Sequence, residues 1–184
     1  MKWILGLGNP GRQYQATRHN LGWQVVERLR RELGATPSGG NLVVRRYWAR
    51  AEDLTLLLPQ TYMNRSGQAV AEVRRAETLE PADLLVVADD LHLPLGRARL
   101  RGGGGSGGHK GLESVQEELG TDAFARLRLG VGRPDDSGEF RDFVLDGFEE
   151  DEEPVVAEMI ERAGEACLAW VREGLTAAMN RFNN

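Results

Sequence analysis

Leu84-Leu85-Val86-Val87-Ala88-Asp89-Asp90 decides the fold, because five apolar residues without a break run directly into two carboxylates. An unbroken apolar run of this kind is typical of a strand buried on both faces of a parallel sheet. Residues 3–7 and 54–58 are similar runs, and each also ends at a polar cluster. Parallel strands place their carboxyl ends at one edge of the sheet, where α/β proteins bind ligands. The side chains predicted to meet at that edge are Asn9, Asn64 and Asp89.

Helical patterns alternate with the apolar runs along the chain. Apolar residues recur at helical spacing in residues 20–33, where Asn20 is a candidate cap, and in residues 66–76 and 112–119. Pro154 is predicted to open a long helix that Gly174 separates from a final helix over residues 175–182. Further strands are predicted over residues 42–51 and 127–131.

This alternation of strands and helices predicts the fold class directly. We expect an α/β fold built as a single domain over residues 1–184. Its doubly wound, mixed but mostly parallel sheet should be flanked by helices, with the C-terminal helices starting at about residue 153.

The composition is that of an ordinary soluble globular protein. Of 184 residues, 41% are hydrophobic and 28% are charged. No apolar stretch approaches the roughly 20 residues that a membrane helix needs. The single cysteine, Cys167, suits a cytoplasmic protein. Residues 1–50 carry nine basic and two acidic side chains, and residues 148–184 carry three and nine, so a polyanion can dock on a basic face.

Gly6-Leu7-Gly8-Asn9-Pro10-Gly11 has the glycine spacing of a dinucleotide-binding loop, so a nicotinamide or flavin oxidoreductase is one alternative. The context of the motif does not match, because the first helical pattern begins near Asn20 rather than on the loop. An acidic residue should also end a second strand about 20 residues further on, yet Glu27 and Glu32 fall within the helix. We therefore expect no cofactor.

His19 precedes the first helix and is the candidate general base. A neutral imidazole can accept a proton from water, and a carboxylate can orient it and stabilise its charged form. Asp89 is predicted to be that carboxylate, whereas no serine or cysteine has the sequence context of a nucleophile. A histidine–aspartate pair without a protein nucleophile indicates direct attack by water.

Metal binding is an alternative use of the same polar residues. The three histidines, His19, His92 and His109, lack the spacing of zinc motifs, and one cysteine cannot build a zinc site. Magnesium held by Asp89 and Asp90 stays open as an alternative, although we expect no metal.

Arg97, Arg99 and Arg101 alternate, which on a strand places all three guanidinium groups on one face. With Lys110 nearby they form a candidate phosphate-binding patch, although charges also protect an edge strand from aggregation. Residues 102–108 are six glycines and one serine, and we expect this glycine loop to be mobile.

Several motifs in fixed order resemble the signatures of bacterial-type peptidyl-tRNA hydrolases. The resemblance runs nearly end to end, and an ordered series is more specific than any single motif. The motifs are residues 6–11 with Tyr14, 17–20, 59–67, 89–96, 107–112, 126–132 and 174–182.

The resemblance implies hydrolysis of the ester that joins a peptide to the 3′ end of tRNA, which recycles stalled tRNA. It assigns the general base to His19 and the supporting aspartate to Asp89. It assigns substrate positioning to Asn9 and Asn64, and Asn9 distinguishes blocked from free aminoacyl ends. A carboxamide can pair with a peptide amide, whereas a free ammonium has no matching acceptor. The other implied substrate or tRNA contacts are Tyr14, Tyr62, Met63, Lys110, Arg101 and Arg128.

One position departs from the family pattern, because Lys110 stands where asparagine is common. Lysine replaces an acceptor with a charge, which could hold a phosphate or the ester oxygen instead. We expect a monomeric, metal-independent, cytoplasmic esterase without a cofactor, which binds the acceptor end of peptidyl-tRNA and no membrane. The alternative from another class is a non-catalytic RNA-binding relative, similar to chloroplast splicing factors of this fold. Release of peptide from an N-blocked aminoacyl-tRNA would distinguish the two.

Overall fold

The computed structural model describes residues 1–134 and 139–183, and it confirms the α/β fold class. Seven strands in this part of the chain form one sheet. They are β1 (Lys2–Gly6), β2 (Thr36–Gly40), β3 (Val44–Ala49), β4 (Leu54–Pro59), β5 (Leu84–Asp90), β6 (Ala98–Arg101) and β7 (Ala125–Gly130). Their order across the sheet is β2-β3-β4-β1-β5-β7-β6.

The four central strands of the sheet are parallel, and each outer strand pairs antiparallel with its neighbour. β1 lies between β4 and β5, so that Ile4 is paired with Leu56 on one side and Leu85 on the other. β5 also pairs in parallel with β7, whereas β3 and β6 run antiparallel to their neighbours β4 and β7. The mixed, mostly parallel sheet predicted from the apolar runs is confirmed, and its parallel strands end at one edge.

Helices cover both faces of the sheet, as a doubly wound fold requires. The helices are α1 (Leu21–Glu32), α2 (Gly67–Ala76), α3 (Lys110–Leu119), α4 (Phe140–Leu145), α5 (Glu153–Glu173) and α6 (Leu175–Phe182). Successive residues of a strand point to opposite faces. Ile4 accordingly packs with Val26 of α1 and Met159 of α5, whereas Leu5 packs in a second core with Val70 and Val115.

A close approach between α1 and the sheet explains two glycines near the start of the chain. A Cβ on Gly6 would lie 2.3 Å from the carbonyl oxygen of Gly22, and a Cβ on Gly22 would lie 2.2 Å from that of Val87. Neither backbone can move away easily, so both positions require glycine. Gly6 and Gly8 of the motif that resembles a dinucleotide fingerprint thus allow the close packing of α1 on the sheet.

Two local sequence predictions were wrong in detail. The strand predicted over residues 42–51 is shorter, since β3 spans Val44–Ala49 and Leu42 is 93% exposed. The side chain of Asn20 makes no capping hydrogen bond to α1 and binds the backbone of Asn9 instead.

Two elements were not predicted at all. β2 (Thr36–Gly40) is exposed throughout and therefore carries no apolar pattern. α4 (Phe140–Leu145) buries only Val144 and is too short for a clear helical period. By contrast, Pro154 lies in the first turn of α5, and Gly174 separates α5 from α6 as predicted.

None of the helices in residues 1–134 and 139–183 combines the length and the apolar character needed to cross a membrane.

Candidate active site

A cleft of about 910 Å³ opens where β1, β4 and β5 end. Nearly all the residues predicted for the site line it, which confirms that the polar clusters after the strands converge. These residues are Asn9, Tyr14, His19, Tyr62, Met63, Asn64, Asp89, Lys110 and Arg128. Arg101 is exposed on β6 and does not line the cleft.

Asp89 and His19 form the pair predicted from the sequence. The Nδ1 atom of His19 lies 2.9 Å from each carboxylate oxygen of Asp89. The Asp89 side chain is 2% exposed, and that of His19 is 15% exposed. Because a carboxylate only accepts hydrogen bonds, Nδ1 of His19 carries the hydrogen and donates it. In the neutral ring Nε2 keeps its lone pair, and it bonds to no residue in the described part of the chain.

His109 is a second imidazole on the same carboxylate. Its Nε2 lies 2.8 Å from Oδ1 of Asp89, and its ring centroid lies 5.0 Å from that of His19. His109 also caps α3, where its Nδ1 accepts from the backbone N–H groups of Gly111 (3.1 Å) and Leu112 (3.3 Å). An atom that accepts two N–H groups cannot itself carry a hydrogen. The neutral His109 ring is thus protonated at Nε2, which donates to Asp89.

The two imidazoles keep the buried Asp89 carboxylate ionised. Burial alone would raise the pKa of Asp89, but the charges and N–H groups of His109 and His19 outweigh it and hold the pKa well below 3.8, its ordinary value. A lowered pKa means that the fold favours the ionised form. This contribution to stability is present above pH 3.8 and is lost as the pH falls below it.

The same three residues have the proximity of a metal site. One ligand atom each of His19, Asp89 and His109 lies within 4.8 Å of the others. A metal on Nε2 of His109 would need the lone pair of that atom, which would move the ring hydrogen to Nδ1. The hydrogen on Nδ1 would then point at the N–H groups of Gly111 and Leu112, which are donors themselves. The donor arrangement therefore suits proton transfer better than metal binding.

Asn9 is held so that one end of its carboxamide stays available. Its Oδ1 accepts from the backbone N–H of Met63 at 2.8 Å, which fixes the oxygen on that side. Asn20 holds the Asn9 backbone from both directions, with its Oδ1 accepting from Asn9 N and its Nδ2 donating to Asn9 O, each at 2.9 Å. The Nδ2 group of Asn9, which forms no hydrogen bond with any described residue, is a free donor at the cleft.

The rim of the cleft is aromatic and exposed. Tyr14 and Tyr62 meet edge to face, with ring centroids 6.4 Å apart and planes at 89°. Tyr62 is 58% exposed although it is a large aromatic residue. Asn64 is also exposed and forms no hydrogen bond within residues 1–134 and 139–183. The exposed face of Tyr62 and the Asn64 carboxamide are therefore accessible to a ligand.

The cationic residues predicted to bind phosphate are differently placed. Arg128 faces the cleft, but its Nε forms an ion pair with Asp90 at 2.5 Å. Asp90 Oδ1 also accepts from the backbone N–H of His92 at 2.7 Å, so this carboxylate is engaged rather than open for magnesium. Lys110 lies at the rim, where its ion pair with Glu113 raises its pKa.

Sequence reasoning missed two contributors to the cleft. His109 stood in a quoted motif without a role, and the available signal was its position directly before a helix, where its ring can cap. The residues of α4 were also missed, although three of its apolar side chains line the cleft. These residues are Phe140, Val144 and Leu145.

The fold and this cleft define an α/β protein with a buried histidine–carboxylate cluster, an arrangement that enzymes use for proton transfer. Comparison with known families gives a more specific result, since the family model for peptidyl-tRNA hydrolase matches residues 3–184. The chain therefore belongs to the peptidyl-tRNA hydrolase family and is an enzyme of that family.

Individual relatives agree with the family match. The chain is 47% identical to the peptidyl-tRNA hydrolase of Symbiobacterium thermophilum, with 99% of this chain and 98% of the relative covered. It is also 47% identical to that of Thermus thermophilus, covering 98% and 94%. The crystal structure of peptidyl-tRNA hydrolase from Acinetobacter baumannii superposes with a TM-score of 0.91 at 35% identity, covering 100% of this chain and 94% of the other.

Proposed function

We propose that this protein hydrolyses the ester bond between the peptide and the 3′ end of tRNA in peptidyl-tRNA and so releases tRNA for reuse. The observation that carries the proposal is the His19–Asp89 contact, in which Nδ1 of His19 lies 2.9 Å from both carboxylate oxygens and Nε2 is free. Membership of the family supports the substrate class.

The reaction uses His19 as general base and water as nucleophile. Nε2 of His19 takes a proton from water while the water oxygen attacks the ester carbonyl carbon. Asp89 holds the ring through Nδ1 and stabilises the imidazolium that forms. The tetrahedral intermediate then expels the terminal ribose oxygen, which takes the proton from His19. The products are a peptide with a free carboxyl group and a tRNA with a free terminal hydroxyl group.

His109 and Asn9 complete the site. His109 donates to Asp89 Oδ1, so the carboxylate is held from two sides and cannot turn away from His19. The free Nδ2 group of Asn9 can donate to a carbonyl oxygen of the peptide end, and Asn64 at the rim can do the same. An unblocked ammonium offers neither group the acceptor that they require.

The tRNA end is expected to meet the rim and the basic strand β6. Tyr14 and Tyr62 offer aromatic faces for unpaired bases, and Lys110 offers a charge for phosphate. Arg101 on β6 and Arg128 are the proposed further phosphate contacts. Arg128 also forms an ion pair with Asp90. We further propose that the enzyme works as a single-domain monomer in the cytoplasm.

The direct test compares two substrates with the purified protein. N-acetylated aminoacyl-tRNA and free aminoacyl-tRNA are incubated with the protein, each with and without a chelator, and ester cleavage is measured. The proposal predicts cleavage of the acetylated substrate alone, with no effect of the chelator. Tight tRNA binding without cleavage would favour a non-catalytic RNA-binding protein, and loss of activity with chelator would favour a metal mechanism.

A further inference from the structure

Arg126 is the one buried charged side chain in residues 1–134 and 139–183 that forms no ion pair. It is 2% exposed, whereas Arg18, Asp89 and Asp90, which are also buried, each have an oppositely charged or protonatable partner. Removing a charge from water without a counter-ion is costly, and only good hydrogen bonds can offset that cost. The groups that accept from Arg126 therefore indicate its role.

All of those groups are backbone carbonyls, and two belong to the glycine loop. Nη1 donates to the carbonyl oxygens of Gly104 (2.6 Å) and Gly105 (3.2 Å), and Nη2 donates to that of Asp122 (2.8 Å). The guanidinium also lies over the ring of Phe124, 4.3 Å from its centroid. A planar guanidinium fixed in this way holds neighbouring carbonyl groups in a defined geometry, which a flexible lysine cannot do.

The two glycine-loop carbonyls held by Arg126, those of Gly104 and Gly105, lie a short way before His109 in the chain. Ser106 follows them, and its carbonyl oxygen accepts from the backbone N–H of His109 at 3.2 Å. His109 then begins α3 and donates to Asp89 at 2.8 Å. The glycine loop thus leads from the Arg126 guanidinium to the second imidazole of the site.

We propose that Arg126 is a positioning residue for hydrolysis, because it fixes the glycine loop and thereby holds His109 against Asp89. This inference rests on the proposed function, in which the Asp89 carboxylate must stay aligned with His19. Without the guanidinium the Gly105 carbonyl loses its donor and the Gly104 carbonyl keeps only Nε2 of Gln116 at 2.8 Å, so the loop is held less firmly and His109 can shift. A misplacement of about 1 Å can cost about 100-fold in rate, so the expected effect is on turnover rather than on tRNA affinity.

The first experiment replaces the guanidinium and asks whether its effect passes through His109. Arg126→Met keeps an unbranched side chain against Phe124 but removes every donor. We expect kcat for N-acetylated aminoacyl-tRNA to fall about tenfold or more, with KM changed less than about twofold. In a His109→Ala background the same substitution should lower kcat no further, since the imidazole that Arg126 is proposed to position is already absent. A merely structural role would give losses that multiply in the double variant, together with a lower melting temperature.

A second pair of variants avoids the core. Gly104 has φ +124° and Gly39 has φ +108°, and a Cβ at either position meets no atom within 4 Å. Alanine therefore strains the backbone similarly at both positions, but only Gly104 accepts from Arg126. Gly39 lies in β2, at the opposite edge of the sheet from β6 and β7. Gly104→Ala should lower kcat, and Gly39→Ala should leave kcat unchanged at a comparable loss of stability.

A measurement independent of activity separates this inference from the proposed function. The N–H groups of Gly111 and Leu112 donate to His109, so their hydrogen exchange reports whether its ring is in place. Exchange should be faster in Arg126→Met and Gly104→Ala than in the wild type. Unchanged exchange, wild-type kcat in both variants, or full multiplication with His109→Ala would overturn the inference. If the wild type cleaves no ester, the proposed function fails, and exchange alone still decides whether Arg126 holds the loop.

Discussion

The centre of the cleft is largely buried and held by hydrogen bonds within the protein, whereas much of its rim is exposed and makes fewer such bonds. At the centre, Asp89 accepts from His19 and His109, and each ring has only one possible tautomer. At the rim, Tyr62 is 58% exposed and Asn64 is open to solvent. The two regions lie in one cleft but differ in how much order exists before a substrate arrives.

This difference indicates a division of labour. Groups that must act on a developing charge gain from being fixed in advance, because no reorganisation is then needed at the moment of reaction. Groups that capture a long, flexible substrate can be ordered by the substrate itself. Substitutions at the centre should therefore change kcat, and substitutions at the rim should change KM. The predictions below test that division, from the largest expected effect to the smallest.

Replacing the general base should have the largest effect. His19→Ala removes the free Nε2 lone pair that is proposed to accept a proton from water. General-base catalysis contributes on the order of 10²–10⁴-fold. We expect kcat for N-acetylated aminoacyl-tRNA to fall by about that factor, while tRNA binding measured by filter retention stays near that of the wild type. His92→Ala, which removes an exposed imidazole from another part of the cleft wall, shows whether loss of any histidine is enough. Equal losses in both variants would contradict the assignment.

Removing the charge of Asp89 should have the next largest effect. Asp89→Asn keeps the size of the side chain but removes its negative charge and replaces one carboxylate oxygen beside His19 with an amide group that donates. We expect kcat to fall on the order of 10²–10³-fold, because the imidazolium is no longer stabilised. Asp83→Asn is the matched control, since Asp83 pairs with Lys2 away from the cleft. A normal kcat in Asp89→Asn would show that the pair is not used.

A rim substitution should be smaller and of a different kind. Tyr62→Ala removes an exposed aromatic face that can stack on an unpaired base, which is worth about 1–3 kcal/mol. We expect KM to rise about fivefold to 100-fold with kcat nearly unchanged. Trp48→Ala is the control, because Trp48 is an exposed aromatic residue of β3 that does not line the cleft. A fall in kcat without a change in KM would break the distinction between rim and centre.

The smallest expected effect concerns the thiol. Burial raises the pKa of Cys167 far above its ordinary range, so the native protein holds almost no thiolate at neutral pH. A disulfide reagent added to the folded protein should label little of it and leave activity unchanged. Stoichiometric labelling should appear only after unfolding in denaturant. Rapid labelling with inactivation would show that the thiol reaches the surface or the site.

Much of this organisation could be predicted from the sequence, because the strongest signals are local. The apolar run ending at Asp89 and Asp90 indicated a buried strand, and the polar residues after β1 and β4 indicated where its partners end. β2 gave no signal, since an exposed edge strand is fixed by pairing with β3 and not by burying apolar residues. Edge pairing of this kind is decided by tertiary context.

The finer arrangement of the site depends on contacts that no local pattern reveals. His109 meets Asp89 across 20 residues of chain, and its tautomer is set by backbone N–H groups of the helix that it caps. Asn20 looked like a helix cap, but its carboxamide instead holds the Asn9 backbone. In each case the sequence shows the residue type. Its hydrogen-bond partner depends on how the helices pack against the sheet.

Nitrogen NMR of the imidazole rings at a pH where both are neutral tests the central claim most directly. The account predicts that His19 carries its hydrogen on Nδ1 and has a free Nε2, while His109 carries its hydrogen on Nε2. Substitution at each histidine in turn assigns the signals. If the hydrogen of His19 were found on Nε2, that atom would have no lone pair to accept a proton from water. This result would contradict the account.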